Sequence, residues 1–295
     1  MLYDMSYFFS CLALLFSGTL IAQGGPPTAD QVRQAIAGEI RQLNVQPVEV
    51  NKIINTKVYN GVDSIPVRIY IPQKGKSLQL IYNIHGGALI AGDLDTHDNI
   101  SRLLASRTGA VVVAIHYRRP PESSYPAGLD DCIVVLGWIR KNAGSWGADP
   151  DKIVLLGDSG GGLLAASLLV KTNGKVPFRK AVFINPAVDL RTPGEGLYGM
   201  VTQMYLGGKP ANDSVVSPIT ATDFRVFPES LVVTCEKDEL KPHGLMLEEK
   251  LKSAAVKVKL VELPGEGHLG GLWSAAHPRA QQAIDAVVDF IKSGR

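Results

Sequence analysis

An α/β fold built on one mostly parallel sheet is what this sequence predicts, and three observations predict it. Short apolar runs alternate with longer stretches of helical periodicity from residue 78 onward. The runs are apolar at consecutive positions, the pattern of strands covered on both faces rather than half-exposed ones. At 295 residues, 45% hydrophobic and 20% charged, the chain is long and apolar enough to bury a large core.

The elements follow in order. Residues 28–44, TADQVRQAIAGEIRQLN, have apolar residues near helical spacing, and Thr28 is placed to cap the helix. The runs NKIINTKVYN (51–60) and IPVRIYIPQ (65–73) flank Gly61-Val62-Asp63 and read as a hairpin at the sheet edge. LQLIYNI (78–84), AVVVAIHY (110–117), KIVLLG (152–157), KAVFIN (180–185), SLVVTC (230–235) and KVKLVEL (257–263) bring the sheet to about eight strands. The first few are expected to be antiparallel and the rest parallel, with helices at 98–108, 128–142, 160–172, 243–255 and 278–292. The interval 186–229 breaks the alternation. Its scattered bulky residues, among them Leu197, Tyr198, Met200, Met204, Tyr205 and Leu206, suit a lid or pocket wall at the C-terminal edge of the sheet. Small cap elements are therefore expected at about 28–45 and 190–215.

Residues 7–22, YFFSCLALLFSGTLIA, stand apart from this pattern and precede a Gly-Gly-Pro-Pro break. They read as a secretory signal peptide cleaved near Ala22-Gln23, although no Lys or Arg precedes them. An exported protein follows, with residues 23–295 as a single domain and no stable membrane span after processing. Thirty basic against 28 acidic residues, without a dense basic block, give no electrostatic case for nucleic acid or an anionic membrane. Cys132 and Cys235, the cysteines left in the mature chain, read as small buried core residues. No clustered Cys/His spacing implies a metal.

The chemistry centres on IVLLGDSGGGLLAASLL, residues 153–169. GDSGG is also a local signature of chymotrypsin-like proteases, but those are all-β barrels with histidine and aspartate ahead of the serine. A phosphate cradle would need a P-loop Lys-Ser/Thr or an acidic residue ending the next strand, and neither is present. A strand running through Gly-x-Ser-x-Gly into a helix is a nucleophile elbow, whose sharp turn needs glycines on both sides and exposes the serine Oγ above the sheet. A hydroxyl is a poor nucleophile without a base, so Ser159 demands a downstream acid and histidine. His268, in the glycine-rich loop after the last strand, is the histidine placed to return over the sheet. Asp238, three residues past the preceding strand, is the acid, with Glu239 as the alternative. His85-Gly86-Gly87-Ala88 follows the third strand, so the N–H groups of Gly86, Gly87 and Gly160 are expected to form an oxyanion hole.

These motifs, in this order, resemble the hormone-sensitive-lipase-like (HGGG-type) esterases of the α/β-hydrolase fold. YRRPPESSYPAGLDDC (117–132) is similar to that family's Tyr-Arg-Leu-Ala-Pro-Glu…Ala-Leu-Asp-Asp segment, and SPIT (217–220) adds to the likeness, which spans about residues 60–293. There are departures. Ala88 replaces the third glycine of the loop, Gly160 replaces an alanine, and Asp238-Glu239-Leu240-Lys241-Pro242 replaces Asp-Pro-Leu-Arg-Asp. The resemblance implies a serine carboxylesterase acting on small esters without metal or cofactor, with Ser159, Asp238 and His268 catalytic. Ala88, Leu197, Met200, Met204, Tyr205 and Leu269 are the expected pocket residues. Glu122, Asp130 and Asp131 are expected to be structural. The last strand and helix are a common pairing surface in that family, consistent with a homodimer. The rival readings are a carbohydrate deacetylase, a lipase or amidase, and a non-catalytic receptor of the kind that has lost the histidine.

Overall fold

The structure, a computed structural model, describes residues 27–76, 78–192, 196–268 and 278–294. The N-terminal apolar segment lies outside them. The strands are β1 (Lys52–Tyr59), β2 (Ser64–Ile71), β3 (Leu78–Ile84), β4 (Val111–Ile115), β5 (Ala148–Asp158), β6 (Lys180–Ile184), β7 (Glu229–Cys235) and β8 (Val258–Leu263). The helices are α1 (Ala29–Gln42), α2 (Asp98–Thr108), α3 (Ala127–Asn142), α4 (Ser159–Thr172), α5 (Gly196–Leu206), α6 (Lys241–Ser253) and α7 (Pro278–Lys292). All eight strands form one sheet in the order β1-β2-β4-β3-β5-β6-β7-β8. The antiparallel character at its start comes from β2 alone, which runs against both β1 and β4; every later pairing is parallel.

The unbroken apolar runs are explained by the two faces they serve. Along β4, Val111, Val113 and Ile115 face a core shared with Cys132, Val135 and Ile139 of α3 and Leu163 and Leu164 of α4. Val112 and Ala114, pointing the other way, pack with Leu103 and Leu104 of α2 and Ile284, Val287 and Ile291 of α7. A strand buried on both sides has no polar alternate position to show. Each such Val, Leu or Ile contributes about 1.5–3 kcal/mol by leaving water. Helix α4 is buried from Ser159 to Leu169, so it too is apolar all round. Cys132 and Cys235 are free and buried, as expected for small core residues.

The N-terminal helix forms as the sequence indicates. Thr28 Oγ1 accepts the Gln31 N–H at 3.3 Å while the Gln31 side chain accepts the Thr28 N–H at 2.8 Å, a reciprocal cap. Val32 and Ile36 of α1 pack on Ile90 and Ala91, which follow the HGGA loop, and on Met200, Val201 and Met204 of α5. Both anticipated cap segments thus meet above the C-terminal ends of β3 and β5. Asp131 is buried and structural: it accepts the Arg118 guanidinium and backbone N–H and the Asn60 amide, tying α3 to the hairpin.

Candidate active site

The turn from β5 to α4 has the strain expected of an elbow. Ser159 sits at φ 51°, in the left-handed region that side chains avoid, directly after an extended Asp158 at φ −113°, ψ 142°. The glycines around it are explained by contact. A Cβ on Gly157 would strike the Gly161 carbonyl, and one on Gly161 would strike the Ile84 and His85 carbonyls. The serine side chain is therefore held where strand, helix and the loop after β3 converge.

Three loops bring the predicted triad together. His268 Nε2 is 3.0 Å from Ser159 Oγ, and His268 Nδ1 is 3.0 Å from both carboxylate oxygens of Asp238. The loops carrying acid and base are bonded to each other, Glu236 N–H to the Leu263 carbonyl and Lys237 N–H to the Glu266 carbonyl. Glu236 accepts the Gly265 N–H, and Glu239 stays exposed at the rim of a cavity, so the acid is Asp238 and not its neighbours. Burial pushes the Asp238 carboxyl up, yet hydrogen bonds from His268, Leu240 N–H and Asn185 outweigh it and hold it below the usual range. Asn185 was not singled out by sequence. It is fully buried at φ 45°, its Oδ1 accepts the Cys235 thiol, and its Nδ2 donates to Asp238 Oδ2.

The loop after β3 corrects one expectation. Gly86 N–H is committed inward, 3.1 Å from Asp158 Oδ1 and 3.3 Å from His97 Nε2, so it is not a donor to substrate. Gly86 is required for a different reason: a Cβ there would collide with the Asp158 carboxylate. The next three residues, Gly87, Ala88 and Leu89, all have positive φ, at 122°, 51° and 65°. Among the described residues the N–H groups of Gly87 and Ala88 take no partner, whereas Gly87 carbonyl accepts from Ile90 and Ala91. The pair free to face a developing oxyanion is therefore Gly87 and Ala88, with Gly160 at the first turn of α4 as the third donor. Beneath the loop, burial holds His85 well below the usual imidazole range, and its neutral ring stacks on Tyr117 at 4.4 Å.

A cavity of about 180 Å³ opens beside Ser159, bordered by Ala88, Leu89, Leu190, Tyr198, Val201 and His243 among others. Of the expected pocket residues, Ala88 is there. Met200 and Met204 are not, because they fill the seam between α1 and α5. Tyr205 is not either: it is buried in the main core, its ring 5.8 Å from Tyr125. Leu269 lies outside the described residues, and so does the Leu197 side chain. Tyr198, one of the bulky residues read as a lid or pocket wall, does border the cavity, whereas His243 escaped sequence reading because only the folded chain brings α6 to it.

Residues 81–270 match the model of the alpha/beta hydrolase fold family. The chain is 32% identical over 263 residues to the carboxylesterase NlhH of Mycobacterium tuberculosis, covering 81% of this chain and 82% of that one. It is 33% identical over 258 residues to an arylesterase of Saccharolobus solfataricus, covering 81% and 83%. Among solved structures, a hyperthermophilic esterase from Pyrobaculum calidifontis superposes with a TM-score of 0.83 at 27% identity, over 93% of this chain and 96% of that one. With a family match over residues 81–270 and relatives above 30% identity that cover four-fifths of it, this chain belongs to the alpha/beta hydrolase fold family.

Proposed function

We propose that this protein is a serine carboxylesterase for short-acyl esters. The observation that carries the reading is the continuous line from Asp238 through His268 to Ser159 Oγ, each link 3.0 Å, at the mouth of a cavity. His268 Nε2 takes the Ser159 proton as Oγ bonds to the ester carbonyl carbon. The carbonyl oxygen becomes an oxyanion facing the N–H groups of Gly87, Ala88 and Gly160. Its collapse expels the alcohol, which leaves with the proton from His268. Water, deprotonated by the same imidazole, then attacks the acyl-enzyme and frees Ser159 and the acid. Asp238 holds the ring with Nδ1–H toward itself and stabilises the imidazolium.

The size of the cavity sets the acyl length. An apolar cavity of about 150 Å³ holds benzene, so about 180 Å³ takes an acyl chain of roughly four to six carbons. Across p-nitrophenyl esters from acetate to palmitate, kcat/KM should peak within that range and fall about tenfold or more by dodecanoate. A preference for palmitate would contradict the reading. The apolar run at 7–22 supports export of the enzyme, and the end position of β8, whose outer edge is unpaired among the described strands, supports a homodimer joined there. Among the described residues no helix is long and apolar enough to cross a membrane.

A further inference from the structure

The cavity beside Ser159 has Leu89, Ala187, Leu190, Val201 and Leu240 in its wall, and His243 is among the polar residues that border it with Asp189, Thr192, Thr202 and Glu239. The ring is oriented by the backbone: Val188 N–H donates to His243 Nδ1 at 3.3 Å. Burial pulls the imidazole below its usual range against the opposing fields of Asp189 and Asp238, so the ring is neutral at pH 7. A neutral imidazole that accepts at Nδ1 carries its hydrogen at Nε2. Among the described residues nothing accepts that hydrogen. The two carboxylates nearby are already engaged, Asp189 by both arms of Arg191 and Asp238 by His268, Asn185 and the Leu240 N–H. Nor is Nε2 among the sealed polar atoms that lack partners, so it opens onto accessible space, and the space His243 borders is this cavity.

The cavity also has a side. His268 must reach the departing alcohol oxygen, and His268 does not border it. The half of the ester that enters is therefore the acyl half. We propose that His243 Nε2–H donates a hydrogen bond to an oxygen within the acyl chain, making the enzyme selective for short acyl groups that carry an ether, hydroxyl or keto oxygen over plain alkyl groups of the same size. An alkyl chain would leave this donor unpaired, and a site that presents a donor discriminates against the analogue that lacks its acceptor. The proposal rests on the esterase reading above and adds the substrate class.

The test uses p-nitrophenyl methoxyacetate and p-nitrophenyl butyrate, which match in length and differ by an ether oxygen for one methylene. For each protein the ratio of kcat/KM for the two esters is divided by the ratio of their rates with hydroxide, which removes the greater intrinsic reactivity of the alkoxy ester. The wild type should retain a preference of about five- to tenfold for methoxyacetate after that correction. His243→Leu should bring the corrected ratio near one, and His243→Gln, which restores an N–H donor, should recover part of it. A corrected ratio near one in the wild type overturns the proposal, and this comparison stands alone if the leucine variant fails to fold. An unchanged ratio in folded His243→Leu overturns it as well. Failure of the wild type to hydrolyse either ester would instead overturn the esterase reading itself.

Discussion

Asn185 and Asp238 show how much of this site rests on single atoms. The Asp238 carboxylate is buried, and burial alone would favour its protonated form, in which it could no longer balance an imidazolium. Asn185 is one of the three donors that reverse this, and it does so from a left-handed backbone position that asparagine tolerates better than most residues. Asn185→Gly keeps that backbone accessible and removes the donor. Because Asn185 lies behind the acid rather than among the residues bordering the cavity, kcat should fall about tenfold with KM nearly unchanged; a change confined to KM would argue against the role. The triad was legible in the sequence because each member closely follows an apolar run, and glycines mark the turns that carry Ser159 and His268. Gly86 was misread for a physical reason: which amides of a loop face the substrate depends on successive φ values, and the residue types do not reveal them. Asn185 was invisible because a donor that follows the neighbouring strand, 53 residues from the acid in sequence, leaves no local pattern.

Helix α1 covers the loop that carries Gly87 and Ala88, and one arginine attaches it. Arg33 donates from Nε to the Ile90 carbonyl at 2.8 Å and from Nη2 to the Pro120 carbonyl at 2.9 Å, and both Nη atoms meet Glu122 at 2.7 Å. The hydrogen bond from Arg33 holds the Glu122 carboxyl at about 2, below its ordinary 4.5. A depressed carboxyl contributes stability that is full above its unfolded value and is lost as pH falls through the folded one. Glu122→Gln should therefore lower the melting temperature at pH 6, within the screened range of about 0.2–1 kcal/mol for a pair whose carboxylate is largely exposed. The gap should shrink as pH falls from 4.5 toward 2, and a gap constant over that interval would contradict the attachment. The element types were legible from apolar runs and helical spacing, since strands covered on both faces and amphipathic helices leave different periods. The seam between α1 and α5 was not, because Met200 and Met204 look alike whether they line a cavity or pack beneath a helix.

Across the whole molecule, the parallel sheet brings three separate loops to one edge. β5 delivers Ser159, β7 delivers Asp238 and β8 delivers His268, so residues 109 and 30 positions from the histidine come within 3.0 Å of it. Chain order and strand order agree from β5 to β8, which is why the order of motifs in the sequence could be read as spatial order there. The exchange of β3 and β4 had no such signature, whereas the reversal between β1 and β2 was legible as the hairpin around Gly61-Val62-Asp63. Hydrolysis by this arrangement depends on Ser159 as the nucleophile, and Ser159→Ala removes one oxygen from a position whose backbone alanine can hold as well as serine. Measured on p-nitrophenyl butyrate, the folded variant, with its melting temperature close to the wild type, should lose about 10⁴- to 10⁶-fold in kcat. A folded Ser159→Ala protein that still turned the ester over within about tenfold of the wild-type rate would contradict that dependence.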